Sequence, residues 1–314
     1  MKRGSPLTAT VVILTYNGER FIDDILTSLE GQRFDGTIDT LVIDSGSTDR
    51  TLELVAAHPG VRLHSIPNEE FGHGRTRNLG AELATGDIVA YLTHDAVPLH
   101  DRWLAEIVAP FADDPRIAAV LGKQVPRRSA PPALKYDIQR VFERLGPDYG
   151  VTVVFDAGQD WSDAERTAAS FYSDANSAAR RAVLLGPVPY RDVSYAEDQV
   201  FGRDLLDRGL RKAYAPRATV EHSNDVTLRT FGKRIADDVV GLRRIAVAVA
   251  PVGRLAAVKQ FVKWSIADSA AIALDDDYSA PRKVYWLVVN PLYQATKWAS
   301  YRRATLKPLS PELP

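Results

Sequence analysis

The stretch TVVILTYNGERFIDDILTSL, residues 10–29, decides the fold. Its first six residues form a continuous run rich in β-branched side chains, the pattern of a strand buried on both faces. Tyr16-Asn17-Gly18 ends the run, and Phe21, Ile25 and Leu29 then recur at helical spacing. A buried strand handing over to an amphipathic helix is the repeating unit of an α/β protein. The alternation continues with strands at 40–43, 61–66, 88–92 and 117–121. Helices are expected through Leu52 and Val55 with Ser47 as N-cap, over 75–84, and over 103–111. Right-handed crossovers between such strands give a Rossmann-like, mostly parallel sheet flanked by helices.

Beyond Pro126 the pattern loosens. Residues 131–145 read as a helix, 148–164 as a polar stretch of no single type, and 168–172 as a strand leading into SDANSAARR. A helix at 196–208 stops at Gly209, and 211–214 is a last short strand. From Thr227 the chain becomes helical, with Phe231, Ile235, Val239, Leu242, Ile245 and Val249 on one stripe. Pro251 and Gly253 interrupt it before two further helices at 255–274 and 282–303. The expected organisation is an α/β domain over 1–225 and a helical C-terminal extension over 226–314.

Of the 314 residues, 45% are hydrophobic and 25% charged, the balance of a folded chain. With no cysteine, disulfides, thiolate metal sites and Cys nucleophiles are excluded. No run reaches the roughly 18 apolar residues of a membrane span, and the N-terminus lacks a small-residue cleavage site. A cytoplasmic location is expected. The net charge of −1 hides a split: residues 229–314 carry 14 Lys/Arg against 7 Asp/Glu, and the preceding residues carry a net −8. An acidic body with a basic tail suggests that the tail meets something anionic. No zinc-finger or RNP-type motif accompanies that charge, so nucleic acid is not the expected partner.

Three acids follow strand-like runs or open a helix: Asp44 after LVI, Asp95 after IVAYL with two residues between, and Asp198 in SYAEDQVF. Open α/β sheets bind ligands at the carboxyl ends of their strands. Thr15, Tyr16 and Asn17 end the first strand, and Asp44 and Ser45 end the second. Polar groups so placed can grip a flat base, with the Asp44 carboxylate accepting an imide N–H. By itself DSGSTD reads equally well as a helix cap. HGRTRN, residues 73–78, opens a helix whose free N–H groups suit phosphate.

Five segments together resemble glycosyltransferase family 2, the inverting GT-A enzymes. They are TVVILTYNGERFIDDILTSL, LVIDSGSTDRT, HGRTRNLGAELATGDIVAYLTHDA, SDANSAARR and YAEDQVFGRDLLDRG, and the resemblance spans residues 8–222. FGHGRTRNLG with LTHDAVP is most similar to bacterial rhamnosyltransferases of surface-polysaccharide assembly. The resemblance implies a GT-A fold and a nucleotide-diphospho-sugar donor, dTDP-L-rhamnose in that branch. The implied acceptor is a glycan, often carried on a lipid.

It also implies residue roles. Arg77 and Asn78 would lie near the donor nucleotide. Asp95 matches the second acid of the family's Asp-x-Asp motif, which binds a divalent ion, Mg²⁺ or Mn²⁺; oxygen ligands suit either. Thr93 stands in place of the first acid. His94 joins the donor set, although strand alternation would turn it away from Asp95. His222 matches a late metal contact and is equally readable as structural. Asp198 would be the general base, and Asn176 and Glu197 would shape the acceptor pocket. The sequence QFVKW, residues 260–264, resembles a processive-synthase motif but has Lys for Arg and no membrane spans, so it reads as coincidence.

The tail helices are basic and carry Trp264, Trp286 and Trp298, consistent with peripheral contact at the inner face of a membrane, with a homodimer interface, or with both. Three alternatives remain: a UDP- or GDP-sugar donor on the same fold, a metal-dependent nucleotidyltransferase, and a non-catalytic sugar-nucleotide-binding module. TYNGERF lacks the Gly-rich basic loop of the nucleotidyltransferase.

Overall fold

The computed structural model describes residues 7–245, 247 and 249–309. The chain forms two compact units, one built from residues up to 125 and 142–222, the other from 126–141 and 223 onward.

The first unit alternates strands and helices. In order they are β1 (Ala9–Thr15), α1 (Ile22–Glu30), β2 (Ile38–Asp44), α2 (Thr51–Ala56), β3 (Val61–Ser65), α3 (His73–Leu83) and β4 (Ile88–Thr93). The two-residue β5 (Val97–Pro98), α4 (Trp103–Asp113) and β6 (Ile117–Val125) follow. After α5 (Pro132–Glu143) come β7 (Thr152–Val154), α6 (Asp163–Ser170), β8 (Asn176–Arg180), the single-turn α7 (Arg181–Leu184), α8 (Glu197–Asp207) and β9 (Arg211–Glu221).

The strands make one sheet in the order β3-β2-β1-β4-β8-β6-β9-β5, with β7 also on β9. The pairs β1–β2, β1–β4, β2–β3 and β6–β9 are parallel, whereas β8 runs antiparallel between β4 and β6. Every residue of β1 is buried. Ile22, Ile25, Leu26 and Leu29 of α1 join Val11, Ile13, Val42 and Trp103 in the core, while Asp23 and Asp24 complement the positive end of α1. The polar ends of β1, β2 and β4 emerge along one edge, where βα loops collect functional side chains.

The structure corrects several expectations. Residues 168–172 are not a strand: α6 runs to Ser170, opened by a capping box in which Ser162 and Glu165 satisfy each other's backbone N–H. The strand is β8, eight residues later. The polar stretch 148–164 contains β7. The last strand, read as 211–214, extends to Glu221, because β6 and β5 flank it on both sides. Along β9 the register with β6 slips, so that Gly122 faces Ala215 but Lys123 faces Thr219, leaving residues 216–218 as a bulge. Ser47 does not cap α2: the N-cap position is Arg50, and Asp49 just before it accepts the Thr51 N–H at 3.0 Å.

The second unit packs α5 with α9 (Leu228–Arg244), α10 (Arg254–Leu274) and α11 (Ala280–Leu306). Thr227 caps α9. The stripe read through Val249 ends at the C-cap Ile245, short of Val249. Its apolar core gathers Ala133, Tyr136, Phe231, Ile272, Trp286 and Tyr293. Within it Asp268, fully buried, accepts from Asn290 Nδ2 at 3.0 Å, Gln294 Nε2 at 2.6 Å and Arg140. Among the described residues no helix is long and apolar enough to cross a membrane. In QFVKW, Trp264 donates to Gln260 at 3.0 Å and stacks under Arg140, so that segment serves helix packing.

Candidate active site

The β1–α1 and β2–α2 loops are laced together. Asn17 adopts a left-handed φ of 51°, which lets its Oδ1 accept the Thr48 N–H at 2.9 Å while its own N–H donates to Ser47 Oγ at 2.8 Å. Ser45 donates both N–H and Oγ–H to the Thr15 carbonyl. Asp44 is buried and accepts the N–H groups of Gly46 (2.9 Å) and Ser47 (3.0 Å) on one oxygen and the Ser47 hydroxyl on the other. Both carboxylate oxygens therefore hold the β2–α2 loop and do not cap α2, which begins only at Thr51. Tyr16 presents its ring to solvent, and the Thr15 hydroxyl is buried with no hydrogen-bond partner.

Gly18 closes the same corner, since a β-carbon there would sit 2.6 Å from Thr15 Oγ1 and 3.3 Å from His94 Cβ. His94 lies against this loop. Strand alternation does not govern it, because β4 ends at Thr93 and residues 94–95 form a turn.

Asp95 and His222 meet, with Oδ1 and Nε2 3.4 Å apart. His222 arrives at the end of β9, and its Nδ1 lies 2.8 Å from Gln124 Oε1. Gln124 in turn donates through Nε2 to Ser173 Oγ at 2.9 Å, which fixes its amide orientation. Nδ1–H of His222 is then the donor to Gln124, which turns Nε2 toward the Asp95 carboxylate. The Asp95 carboxyl is held well below the usual carboxylate range: burial opposes this, but His222, Thr93 and the nearby His94 outweigh it. Carboxylate and imidazole are fitting donors for Mg²⁺ or Mn²⁺. Among the described residues no group of three or more such side chains converges, so a metal here would draw its remaining ligands from substrate and water.

Arg77 is the centre of a buried charge cluster. Its guanidinium contacts Asp174 Oδ2 at 3.0 Å and Glu197 Oε1, with its carbon 5.6 Å from the Tyr190 ring centre. Tyr190 OH and Ser177 Oγ donate to the other Asp174 oxygen at 2.8 and 2.6 Å. Asn78 clamps the Tyr190 backbone through both amide atoms at 2.9 Å. Arg77 and Asn78 thus fasten α3 to the segment before α8. Gly74, in the first turn of α3, is covered by that segment: a β-carbon there would lie 2.2 Å from the Arg191 carbonyl.

Asp198 follows Glu197 at the start of α8. The preceding Ala196 has a φ of 56°, a conformation costing a side-chain-bearing residue about 1–3 kcal/mol. Beyond it Glu197 is buried and Asp198 half-buried. Asp198 accepts the Gln199 N–H at 2.8 Å. Its carboxyl is pushed well up by burial and by the like charges of Glu197 and Asp174, with Arg77 opposing. Asp174 is raised by burial against the pull of Arg77. Asn176 is fully buried and satisfied: Oδ1 accepts Trp103 Nε1–H at 2.9 Å, and Nδ2 donates to the carbonyls of Lys123 and Ala218.

At the start of α3 the His73 ring packs edge-on against Phe71, and desolvation there disfavours its protonation, with Glu197 opposing. Asp174, Gln124, Tyr190 and His73 went unread in the sequence as site residues. SDANSAARR contains Asp174, so that motif carried the signal. Gln124 carries none, since its partner lies 98 residues away.

The family model described as glycosyl transferase family 2 matches residues 10–184, more than half of the chain. The chain belongs to glycosyl transferase family 2. Its sheet and flanking helices are the GT-A fold, and the protein is a glycosyltransferase. It is similar to the O-antigen chain rhamnosyltransferase RfbN of Salmonella typhimurium, with 30% identity over 73% of this chain and 70% of that protein. It is also similar to the O-antigen chain rhamnosyltransferase WbaN of Salmonella anatum, with 32% identity over 63% of this chain and 60% of that one, less than two thirds of its length. Among solved structures, a mannosyltransferase of Pyrobaculum calidifontis in complex with GDP-Man and Mn²⁺ superposes with a TM-score of 0.59 at 21% identity. That likeness of fold spans 96% of this chain and 87% of the other.

Proposed function

We propose that this glycosyltransferase moves L-rhamnose, with inversion, from dTDP-L-rhamnose to a hydroxyl of a glycan acceptor in cell-surface polysaccharide synthesis. The acceptor is carried on a lipid. The observation that carries the reading is the meeting of Asp95 and His222 just past the ends of β4 and β9, in a chain that belongs to glycosyl transferase family 2. The two similar O-antigen rhamnosyltransferases support the choice of sugar.

Asp198 takes the proton of the attacking hydroxyl, the task of a general base. A raised pKa makes it a stronger base once ionised, and the Gln199 N–H orients one of its oxygens. Arg77, neutralising Asp174 and Glu197, keeps the acid pair from raising Asp198 further. Asp95 and His222 would hold a divalent ion, whose positive charge would stabilise the departing nucleoside diphosphate. Gln124 holds the His222 ring through Nδ1 so that Nε2 faces Asp95. Thr15, Tyr16, Asn17, Asp44 and Ser45 form the wall on which the base rests, with Tyr16 supplying the exposed ring.

The test is to incubate purified protein with Mn²⁺ and dTDP-, UDP- or GDP-sugars, recording thermal stabilisation and nucleotide release with a rhamnose-accepting glycan. Stabilisation by dTDP-L-rhamnose alone, with release only when acceptor is present, is expected. Stabilisation by a UDP- or GDP-sugar instead overturns the rhamnosyl reading and leaves the transferase reading standing.

A further inference from the structure

A cavity of about 660 Å³ lies along α10 and α11, lined by Arg254, Val258, Phe261, Trp298, Arg302 and Arg303 among others. Two of its donors, Arg302 Nε and Trp298 Nε1, are buried and have no hydrogen-bond partner. Buried donors are normally satisfied, and each exception calls for a missing acceptor. No carboxylate pairs with Arg254, Arg302 or Arg303 among the described residues. The two helices carry eight Lys/Arg against one acid, Asp268, and that acid is fully buried in its own network. The cavity is therefore cationic at its rim and short of an acceptor inside.

Its walls are apolar. Val258, Phe261, the Trp298 ring and three alanines face the space, and exposed Leu255, Val262 and Ile266 extend that surface along α10. Guanidinium groups match the geometry of phosphate oxygens, but a hydrophilic phosphate would gain nothing from such walls. The volume is that of a small-molecule site.

We infer that this cavity binds the phosphate group of an amphiphile, with the apolar tail laid against Val258, Phe261 and Trp298. The inference draws on the geometry of α10 and α11 and deepens the lipid-linked-acceptor reading by giving a lipid phosphate a place on the chain.

Calorimetric titration of the full chain with farnesyl phosphate, farnesol and inorganic phosphate tests it, alongside sedimentation with vesicles of three parts phosphatidylcholine to one part phosphatidylglycerol. Farnesyl phosphate is expected to bind about tenfold or more tighter than farnesol or inorganic phosphate. Arg254→Ala and Arg302→Met should each weaken it by about tenfold, and Arg302→Lys by less. Vesicle binding should fall in parallel. Because Arg254 is exposed, its variant keeps the fold, and nucleotide release to a soluble acceptor should be unchanged in it. Equal affinity for inorganic phosphate overturns the amphiphile. Vesicle binding without farnesyl phosphate binding, or farnesyl phosphate affinity unchanged in both Arg variants, overturns the site. A dead transferase that still binds farnesyl phosphate fails the transfer reading alone.

Discussion

Replacing Arg77 by Met tests the charge cluster at its centre. The Arg77 side chain is 6% exposed, and those of its partners Asp174 and Glu197 are 0% and 7% exposed. Met keeps much of the volume but strands two buried carboxylates beside Asp198. Breaking a buried ion pair by removing one partner costs about 3–5 kcal/mol, a large share of the roughly 5–15 kcal/mol that stabilises a typical protein. Urea unfolding near neutral pH should show the loss as a lower midpoint. The pH dependence has a definite sign. Without the cation, the carboxyls of Asp174 and Asp198, already raised by burial against the pull of Arg77, bind protons more tightly still in the folded chain than in the unfolded one. Stability then falls as pH rises from the unfolded carboxylate range, near 4, through the raised folded values. The deficit against the parent chain should shrink toward pH ~5 and widen toward pH ~8. A loss under about 1 kcal/mol, or a deficit that grows on acidification, would refute the cluster's role.

Three further outcomes follow from the same geometry. Asp198→Asn should lower turnover by about 10²–10⁴-fold while calorimetry still detects dTDP-L-rhamnose binding; near-parental turnover in a folded variant removes Asp198 as the base. Gln124→Leu frees the His222 ring and should weaken Mn²⁺ binding, followed by electron paramagnetic resonance, by about 10–100-fold, whereas His222→Ala should weaken it at least as much; unchanged affinity in both would separate His222 from the metal. Lys212 is buried, with Nζ donating to the Phe171 carbonyl, and burial lowers its pKa to about 7. Between that value and about 10.4 the unfolded chain binds the extra proton, so stability should rise with pH there, and Lys212→Met should flatten the rise in urea titrations.

Where apolar periodicity was strong, the sequence was sufficient. β1, α1 and β4 fall within two residues of their expected places because burial on both faces selects TVVILT and IVAYL. Residues 168–172 misled because Ala168, Phe171 and Tyr172 read as a strand, whereas the Ser162/Glu165 capping box commits the chain to helix first. At the site, the type and order of residues were legible and their partners were not. Asp44, Arg77, Asn78 and Asn176 all appear in readable motifs, yet each spends its polar atoms inside the protein, on groups 2 to 120 residues away. No local pattern encodes a carbonyl freed by a bulge in another strand, and the acceptor of Asn176 on Ala218 is such a carbonyl.

That bulge acts as a length gauge. Residues 216–218 have no partner on β6, and pairing resumes only at Thr219, three residues before His222. A strand advances about 3.3 Å per residue and turns over with each step. Removing one residue from 216–218 would bring Ser223 to the position facing Asp95 and send His222 to the opposite face. Inserting one would leave Glu221 there. Substitutions at Arg217, the exposed residue of the three, should be far better tolerated than any change in their number.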